Sequence, residues 1–433
     1  MKKSLAVLTC ITLAAATLLS GCSNGQGQSG GATASSPGEP QKVVYWYTST
    51  GDEAKNQEQA ISAFNSSQSQ YKVEGLSVPD KQKFIVAMAS DDSPDVVSLL
   101  DSEVVTYEAQ GMLENLSPYI EKNNFNIKDF SEMAVKSNTV DNNVYGLPYS
   151  VNIIQMYYNK AILKAHGYTE PPKTMEELYD MGVACTQTDA KGNITVLGYP
   201  LFPLAAVPLE GVYAFGGRWA ADDGTTVTPN NPGVLASMNM NLKYRQKFGM
   251  KNVQAFVATA NTNRYTPQDD FFAGREVFRF DGLWLTTMIT KNKPDLDYGV
   301  TYIPGTKANP DAQGSSRLET SSVSISKVSK DKDGAFAFME YYATKGMKGV
   351  LLTTGGLPTY EPLFQDKDIL AQKDIGTFLD AMKLNKGVQF PPIKDAAKYK
   401  SLINSAYDYV YNGSKTPEKA LADLENDCKS LQK

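Results

Sequence analysis

The residues with the clearest chemical potential are aromatic and polar side chains at the ends of two predicted strands. Residues 43–48 form a β-branched and aromatic run of strand length, and residues 94–100 form a second buried run. In open α/β sheets, ligands bind beyond the carboxyl ends of the strands. The candidates at these two ends are Trp46, Tyr47, Asp101 and Ser102. Such groups suit a molecule with a flat apolar face and a polar rim, although Trp46 could equally be a core residue and Asp101 could cap the following helix.

Several other kinds of chemistry lack the residues that they need. His166 is the sole histidine, and no HExxH, CxxC or GxxxxGK[ST] pattern occurs. The chain has a formal net charge of -5 at pH 7 and no Lys/Arg cluster, whereas nucleic-acid binding requires a basic surface. Hydrolytic metal chemistry and nucleotide hydrolysis therefore lack sequence support, and we expect no metal site, no cofactor and no nucleic-acid partner.

The first residues of the chain predict export from the cytoplasm. Two lysines precede an apolar run over residues 5–19, which is shorter than the about 20 residues that a membrane-spanning helix needs. The run ends in Leu-Ser-Gly-Cys at Cys22, and this ending resembles the bacterial lipoprotein signal. The resemblance implies a signal peptide at residues 1–21 and a lipid on the Cys22 thiol, with two acyl chains that would anchor the protein stably. An ordinary secreted protein with a chance cysteine is the alternative.

The composition after Cys22 predicts a flexible tether followed by a large folded part. Residues 22–40 are rich in Gly, Ser, Gln, Ala and Pro, so they bury too little apolar surface to become ordered. About 390 residues remain, which is long for one core and predicts two lobes. Cys185 and Cys428 are the cysteines left in the folded part, and the sequence does not decide between two buried thiols and a disulfide.

Strand and helix patterns alternate along the first part of the folded region. A helical pattern near residues 60–64, a short strand from Tyr71 and a helix around residues 81–89 lie between the two strands named above. This alternation predicts an α/β fold with a mostly parallel sheet. Thr174 followed by Glu177 three residues later is a capping signature that predicts a helix start.

A series of short motifs follows in order from about residue 43 to the C terminus. The motifs are Val44-Tyr45-Trp46, Pro94-Asp95-Val96-Val97, Gly111-Met112-Leu113-Glu114-Asn115-Leu116, Tyr145-Gly146-Leu147-Pro148, Tyr157-Tyr158-Asn159-Lys160, Pro171-Pro172-Lys173-Thr174-Met175-Glu176-Glu177-Leu178, Phe272-Ala273-Gly274-Arg275, Asp281-Gly282-Leu283-Trp284, Ala335-Phe336-Ala337-Phe338 and Gly355-Gly356-Leu357-Pro358. Their order resembles that of the extracellular solute-binding proteins of ABC-type sugar importers, the maltose-binding-protein-like family. Each motif is weak alone, and Met175 stands where the family usually has tryptophan.

The resemblance implies two α/β lobes, each a mostly parallel sheet flanked by helices, that close by a hinge over a ligand in the cleft. Crossings between the lobes are expected near residues 150–152, near Ser321 and near residues 353–357. Lobe 1 would contain residues 41–151 and 322–352, and lobe 2 would contain residues 152–321 and 353–433.

The resemblance also implies the function. The protein would bind a carbohydrate, and in particular an oligosaccharide, and deliver it to the permease subunits of an ABC transporter. It would act as a monomer at the extracytoplasmic face of the bacterial cell membrane. ATP hydrolysis would belong to the partner subunits.

Further candidate ligand-binding residues come from the predicted crossings and from the matched motifs. A sugar ring offers an apolar C–H face and a rim of hydroxyls, which aromatic rings and planar polar groups can bind. The candidates are Tyr149 and Asn152 at the first crossing, Arg317 and Glu319 beside the second, Gly355 and Tyr360 at the third, and Trp219, Asp281 and Trp284 in the motifs. Core packing of the two tryptophans, a surface position for Arg317 and a hinge role for Gly355 remain open alternatives.

Other functions remain open from the residues alone. The same fold could bind a polyamine or another small solute, because Asp52, Asp101, Asp281 and Glu319 could supply carboxylates. A secreted glycoside hydrolase would need two carboxylates at one bond, and nothing in the spacing requires that arrangement. A purely structural surface lipoprotein is a third alternative.

Overall fold

The computed structural model describes residues 39–90, 93–201, 210–393 and 395–432. The predicted signal peptide, the predicted lipid attachment at Cys22 and nearly all of the predicted tether lie outside the described residues.

The strands are numbered along the chain. They are β1 (Gln41–Tyr47), β2 (Tyr71–Ser77), β3 (Val96–Leu100), β4 (Thr139–Val140), β5 (Asn143–Val144), β6 (Leu147–Ile153), β7 (Gln155–Asn159), β8 (Gln187–Thr188), β9 (Ile194–Val196), β10 (Phe278–Asp281), β11 (Tyr298–Thr301), β12 (Ser316–Ile325), β13 (Leu357–Pro358) and β14 (Gly387–Gln389).

The α-helices are numbered in the same way. They are α1 (Gly51–Ser67), α2 (Lys81–Met88), α3 (Asp101–Ala109), α4 (Ser117–Lys122), α5 (Glu132–Lys136), α6 (Lys160–Ala165), α7 (Met175–Cys185), α8 (Glu210–Ala214), α9 (Pro232–Phe248), α10 (Met250–Asn263), α11 (Trp284–Asn292), α12 (Lys332–Tyr341), α13 (Lys348–Thr354), α14 (Lys367–Leu370), α15 (Ile375–Lys383), α16 (Ala396–Tyr411) and α17 (Pro417–Asp427). A π-helix over Tyr342–Gly346 joins α12 to α13.

The larger sheet has the strand order β13-β6-β12-β3-β1-β2, with β14 paired to β12. Strands β2, β1 and β3 are parallel, as the strand–helix alternation predicts. Side chains of β1 alternate between the two faces. Val43, Tyr45 and Tyr47 are buried on the face covered by α1 and α12, while Trp46 packs on the other face beside α2.

The smaller sheet corrects the expectation of mostly parallel pairing. Its order is β10-β7-β11, and both outer strands are antiparallel to β7. The reason is that β6 runs into β7 with only Ile154 between them. Strand β7 therefore enters the second sheet as a continuation of β6, between β10 and β11, which are joined by α11. In the larger sheet, β12 is likewise antiparallel to β3 and β6.

One large hydrophobic core extends across both sheets and includes Tyr45 of β1 and Tyr157 of β7. Phe64 of α1 and Phe338 of α12 pack on the larger sheet with ring centroids 5.3 Å apart. A different core lies among α9, α16 and α17. Cys185 and Cys428 are buried free thiols in two different cores.

The predicted start of α7 is confirmed. The Thr174 hydroxyl accepts a hydrogen bond from the Glu177 N–H at 3.1 Å, and the Glu177 carboxylate accepts one from the Lys173 N–H at 2.8 Å. Met175, at the position where the resemblance implied tryptophan, is fully buried. Its role here is packing.

Strands β6 and β12 are antiparallel neighbours in the larger sheet. They pair from Ile153–Leu318 to Leu147–Val323, so the first two predicted crossings lie within this strand pair. The third falls at the end of α13 and the start of β13. The exact lobe boundaries stay a prediction.

Candidate functional site

The alternation of β12 creates two different surfaces at the centre of the molecule. Successive side chains of a strand point to opposite faces, so Arg317, Glu319 and Ser321 face one way and Leu318 faces the other. A cavity of about 850 Å³ lies on the Arg317 side. Another, of about 900 Å³, lies on the Leu318 side, and Trp219 contributes to its wall.

The first of these cavities, which we call the central cavity, combines aromatic, amide and charged groups. It is lined by Ser49, Glu53, Lys55, Asn56, Gln57, Gln59, Tyr149, Ser150, Asn152, Tyr265, Trp284, Thr287, Met288, Lys291, Arg317, Glu319, Ser321, Met347, Val350, Leu351, Thr353, Thr354 and Gly356.

Trp284 is the largest aromatic side chain in the central cavity, and two glycines shape its surroundings. A Cβ on Gly282 would lie 2.0 Å from the indole ring, so the ring rests directly on the glycine backbone. A Cβ on Gly355, which has φ +72°, would lie 2.7 Å from the Cα of Trp284. The predicted hinge or contact residue Gly355 therefore packs behind the tryptophan, whose ring is partly exposed to the cavity.

Tyr265 holds the edge of the Trp284 ring. Its hydroxyl accepts a hydrogen bond from the indole Nε1 at 3.1 Å and donates to the Asp281 carboxylate at 2.9 Å. The backbone of Tyr265 is left-handed, with φ 62°, and its N–H donates to Asp269 at 2.7 Å. Burial, with a further contribution from the Asp281 charge, raises the pKa of Tyr265. The hydroxyl therefore stays protonated and remains a donor.

Asp281 was predicted as a ligand contact, but the structure gives it a supporting position. Its carboxylate is fully buried, and it accepts hydrogen bonds from Tyr265, from Arg264 at 3.1 Å and from the Gly282 N–H at 2.9 Å. Because these donors occupy the carboxylate, Asp281 fixes Tyr265 and does not line the central cavity.

Arg317 forms the charged floor of the central cavity. Its Nη1 lies 3.0 Å from the Glu319 carboxylate, and its Nε lies 3.4 Å from Glu210. Glu210 is buried, and this burial raises its pKa while Arg317 opposes the shift. The predicted surface-loop alternative for Arg317 is wrong, since the side chain is only 7% exposed.

Tyr149 and Asn152 of β6 complete the wall predicted from the first crossing. The Tyr149 hydroxyl lies 3.0 Å from the Ser98 hydroxyl, and burial raises the pKa of Tyr149. The structure thus brings together five of the predicted site residues in one cavity. They are Tyr149, Asn152, Trp284, Arg317 and Glu319.

The remaining predicted residues lie elsewhere. Trp46 packs against Phe84, with ring centroids 6.2 Å apart, and Tyr47 is buried in the core beneath α1. Tyr360 packs on Phe130 at 5.2 Å. The core alternative given for Trp46 describes its position in part, because the ring packs on the α2 face of the sheet and stays partly exposed, whereas Tyr47 is buried on the opposite face.

Asp101 and Ser102 start α3 next to the central cavity rather than in its wall. Asp101 is 2% exposed, and its carboxylate accepts hydrogen bonds from the Thr320 N–H at 3.1 Å and the Ser102 N–H at 2.7 Å. Burial, together with the nearby Glu319 charge, raises the pKa of Asp101 to about 7. Asp101 therefore ties α3 to β12.

Trp219 is also displaced from its predicted role. It is 1% exposed and packs edge-to-face on Tyr399, with ring centroids 6.4 Å apart. The Tyr399 hydroxyl donates to the Trp219 carbonyl at 2.8 Å. The ring belongs to the core of α9, α16 and α17, on the opposite side of β12 from Trp284.

Sequence reasoning missed several groups of the central cavity. The polar side chains Glu53, Lys55 and Gln57 lie on α1, directly after β1, and the rule that ligands bind beyond strand ends could have identified them. Tyr265 had no local signal. It reaches Trp284 only because α10 ends beside β10.

The described part of the chain shows no group of His, Cys, Asp and Glu side chains suited to hold a metal ion. Within the same residues, no helix has both the length and the apolar character needed to cross a bilayer.

The central cavity lies beside β6 and β12 of the larger sheet, near the point where β6 continues into β7 of the smaller sheet. The chain belongs to the bacterial extracellular solute-binding protein family, whose sequence model matches residues 59–377. Members of this family are binding proteins rather than enzymes, and they act outside the cytoplasm. The family and the α/β class expected from the sequence are confirmed.

Comparisons with individual proteins agree with this assignment. The chain is 24% identical over 311 residues to a probable ABC transporter-binding protein of Deinococcus radiodurans, covering 69% of this chain and 71% of that protein. It is 23% identical over 333 residues to the galactooligosaccharide-binding protein of Bacillus subtilis, covering 76% and 74%. The solved structure of CpMnBP1 with mannobiose bound has a TM-score of 0.78 at 21% identity, covering 90% of this chain and 99% of that one. This last likeness concerns the fold.

Proposed function

We propose that the protein binds an oligosaccharide in the central cavity and delivers it to the permease of an ABC transporter. The main support is the Trp284 ring, which is fixed by Gly282 and Tyr265 and faces a wall of amide and charged groups. The aromatic face suits the C–H face of a sugar, and the opposite groups suit its hydroxyls. The galactooligosaccharide-binding relative supports the same ligand class.

The size and charge of the central cavity support this ligand over a polyamine. Its volume of about 850 Å³ lies within the range of about 300–1,000 Å³ typical of small-molecule sites, so it has space for more than one sugar ring. A polyamine would need carboxylates without cationic partners. Of the two carboxylates in the cavity wall, Glu319 is paired with Arg317, and Glu53 shares the cavity with the cationic side chains of Lys55 and Lys291.

The proposed delivery cycle uses a hinge between two lobes. The sugar would bind in an open form, and closure would follow because the ligand contacts both sides of the cavity in the closed form. We further propose lobes of residues 41–151 with 322–352 and 152–321 with 353–433, a monomeric protein and a lipid on Cys22. The closed form would then dock on the permease at the outer face of the membrane.

A calorimetric panel tests the proposal. The purified folded part would be titrated with mannobiose, maltotriose, a galactooligosaccharide and diacetylchitobiose, with spermidine as the comparison. We expect saturable binding of at least one of the sugars and none of spermidine. Saturable binding of spermidine without any response to the sugars would contradict the proposed ligand class.

The lipid anchor needs a separate test. Expression with labelled palmitate should label the wild-type chain and leave Cys22→Ser unlabelled, and the variant should appear in the medium. Equal labelling of both chains would contradict attachment at Cys22.

A further inference from the structure

A buried hydroxyl network lies directly behind one wall of the central cavity. Gln57 of α1 contributes to that wall and is only 4% exposed. Its Oε1 accepts a hydrogen bond from the Tyr342 hydroxyl and lies 3.3 Å from the Tyr45 hydroxyl. The two hydroxyls are themselves 3.1 Å apart. Three residues distant in sequence therefore meet at one amide oxygen.

The π-helix after α12 begins at Tyr342 and brings this side chain into the network. Single π-turns change the register of a helix and occur frequently at functional sites. The Tyr342 ring is fully buried, 5.4 Å from the Tyr45 ring and 5.2 Å from the Tyr149 ring. Tyr149 itself lines the central cavity. The network thus connects the cavity wall to the segment that leads into α13.

The protonated tyrosine hydroxyls determine that the oxygen of the Gln57 amide, and not its nitrogen, faces the network. Burial raises the pKa of both Tyr45 and Tyr342 well above the usual tyrosine value, so both hydroxyls are protonated at neutral pH. The Tyr45 hydroxyl can donate a hydrogen bond to the Tyr342 hydroxyl, and the Tyr342 hydroxyl can donate one to Gln57 Oε1, so each hydroxyl donor has an acceptor. The side-chain amide of Gln57 is planar. Because the tyrosine hydroxyls bind its Oε1, its Nε2 points away from them.

We propose that Gln57 is a specificity-determining residue that donates a hydrogen bond from Nε2 to one hydroxyl oxygen of the bound sugar, with Tyr45 and Tyr342 as positioning residues. This inference rests on the proposed function and assigns a role within the same cavity. A side chain that is already fixed loses little conformational entropy when the ligand binds. Gln57 is fixed in this way, whereas Gln59, also in the cavity wall, is exposed.

The experiment is a binding cycle that combines variants with altered ligands. The sugar that wild-type protein binds most tightly would be titrated alongside its monodeoxy analogues, against wild type and Gln57→Ala. Truncation opens the network to the central cavity, where water can reach the two tyrosine hydroxyls. In wild type, one analogue should bind about tenfold more weakly than the parent sugar, as expected for loss of one hydrogen bond. In Gln57→Ala, that analogue and the parent should bind within about twofold of each other.

Two further variants distinguish a positioning role of the tyrosine hydroxyls from a general loss of structure. Tyr342→Phe keeps Gln57 but removes the hydroxyl that orients it, so the preference against the same analogue should shrink to about threefold. Glu58→Ala, an exposed neighbour on α1 outside the cavity wall, should reproduce the wild-type pattern.

A purely structural role of Gln57 predicts a different result. All analogues would then lose the same factor in Gln57→Ala, or no affinity would change, and either result would overturn the inference while the proposed function stands. Failure of the wild-type protein to bind any carbohydrate would remove the proposed function itself and this inference with it.

Discussion

Trp219 and Trp284 occupy similar local sequences but very different surroundings. The first follows Phe-Gly-Gly-Arg and the second follows Asp-Gly-Leu. Trp219 is buried in a core against Tyr399, whereas Trp284 lies over Gly282 in the central cavity with its Nε1 bonded to Tyr265. The partners that give the two tryptophans different roles, Tyr399 and Tyr265, lie in other parts of the fold. A tryptophan beside glycine therefore indicates a ligand platform only when the fold leaves one ring face open.

Truncation of the buried tryptophan should have the largest effect in this comparison. Trp219→Ala should lower the free energy of unfolding by about 3–5 kcal/mol, because it leaves a large cavity in the core of α9, α16 and α17. Sugar affinity of the folded protein should stay within about twofold, since the ring lies across β12 from the central cavity. Urea denaturation and calorimetry would measure the two quantities. Unchanged stability with lost affinity would reverse the roles that we assign to the tryptophans.

The pH dependence of stability tests whether Asp101, another predicted site residue, is buried in the way that Trp219 is. Its folded pKa of about 7 lies above its usual value of 3.8, so the native state binds the proton more tightly than the unfolded state. Its contribution to stability is therefore lost as pH rises from about 4 to 7. Relative to wild type, Asp101→Asn should gain about 1–3 kcal/mol in unfolding free energy between pH 5 and pH 8.

Chemical denaturation at the two pH values measures that difference. Taking the difference from wild type removes the contributions of the other titrating groups to the pH dependence. A stability difference that does not depend on pH would mean that Asp101 is exposed and ionised.

The glycine beneath the indole tests the geometry of the platform. Gly282→Ala would place a Cβ 2.0 Å from the Trp284 ring, so the ring must move, and we expect about tenfold weaker sugar binding. Gly349→Ala in α13, where a Cβ would meet nothing within 4 Å, is the matched control and should bind as wild type. Equal affinities for both variants would show that the ring position does not matter.

Removal of one hydroxyl should give the smallest effect. Tyr265→Phe keeps the ring but removes the acceptor for Trp284 Nε1 and the donor to Asp281. Sugar affinity should fall about threefold, as the indole loses one restraint. Calorimetry measures this change, and an increase in affinity would contradict a positioning role for the hydroxyl.

The sequence predicted the architecture better than it predicted the site. Patterns within short segments define β1, β3 and the capped start of α7, because alternation and capping are local properties. The antiparallel β10-β7-β11 sheet depends on how β6 runs on into β7, which no local pattern reports. Only long-range contacts show that the Asp281 carboxylate holds Tyr265 and Arg264.

Four of the five predicted site residues that line the central cavity share a position. Tyr149, Asn152, Arg317 and Glu319 lie on β6 and β12, the paired strands at the centre. Tyr265 and Gln57 were missed because their roles depend on partners in other elements. Buried partners of this kind leave no periodic signal in the sequence.

The most direct test of the central claim is calorimetric titration of Trp284→Ala with the sugar that wild-type protein binds most tightly. We predict binding about thirtyfold weaker than wild type, the value expected for losing the buried contact of one aromatic face. Wild-type affinity in this variant would contradict the assignment of Trp284 as the sugar platform.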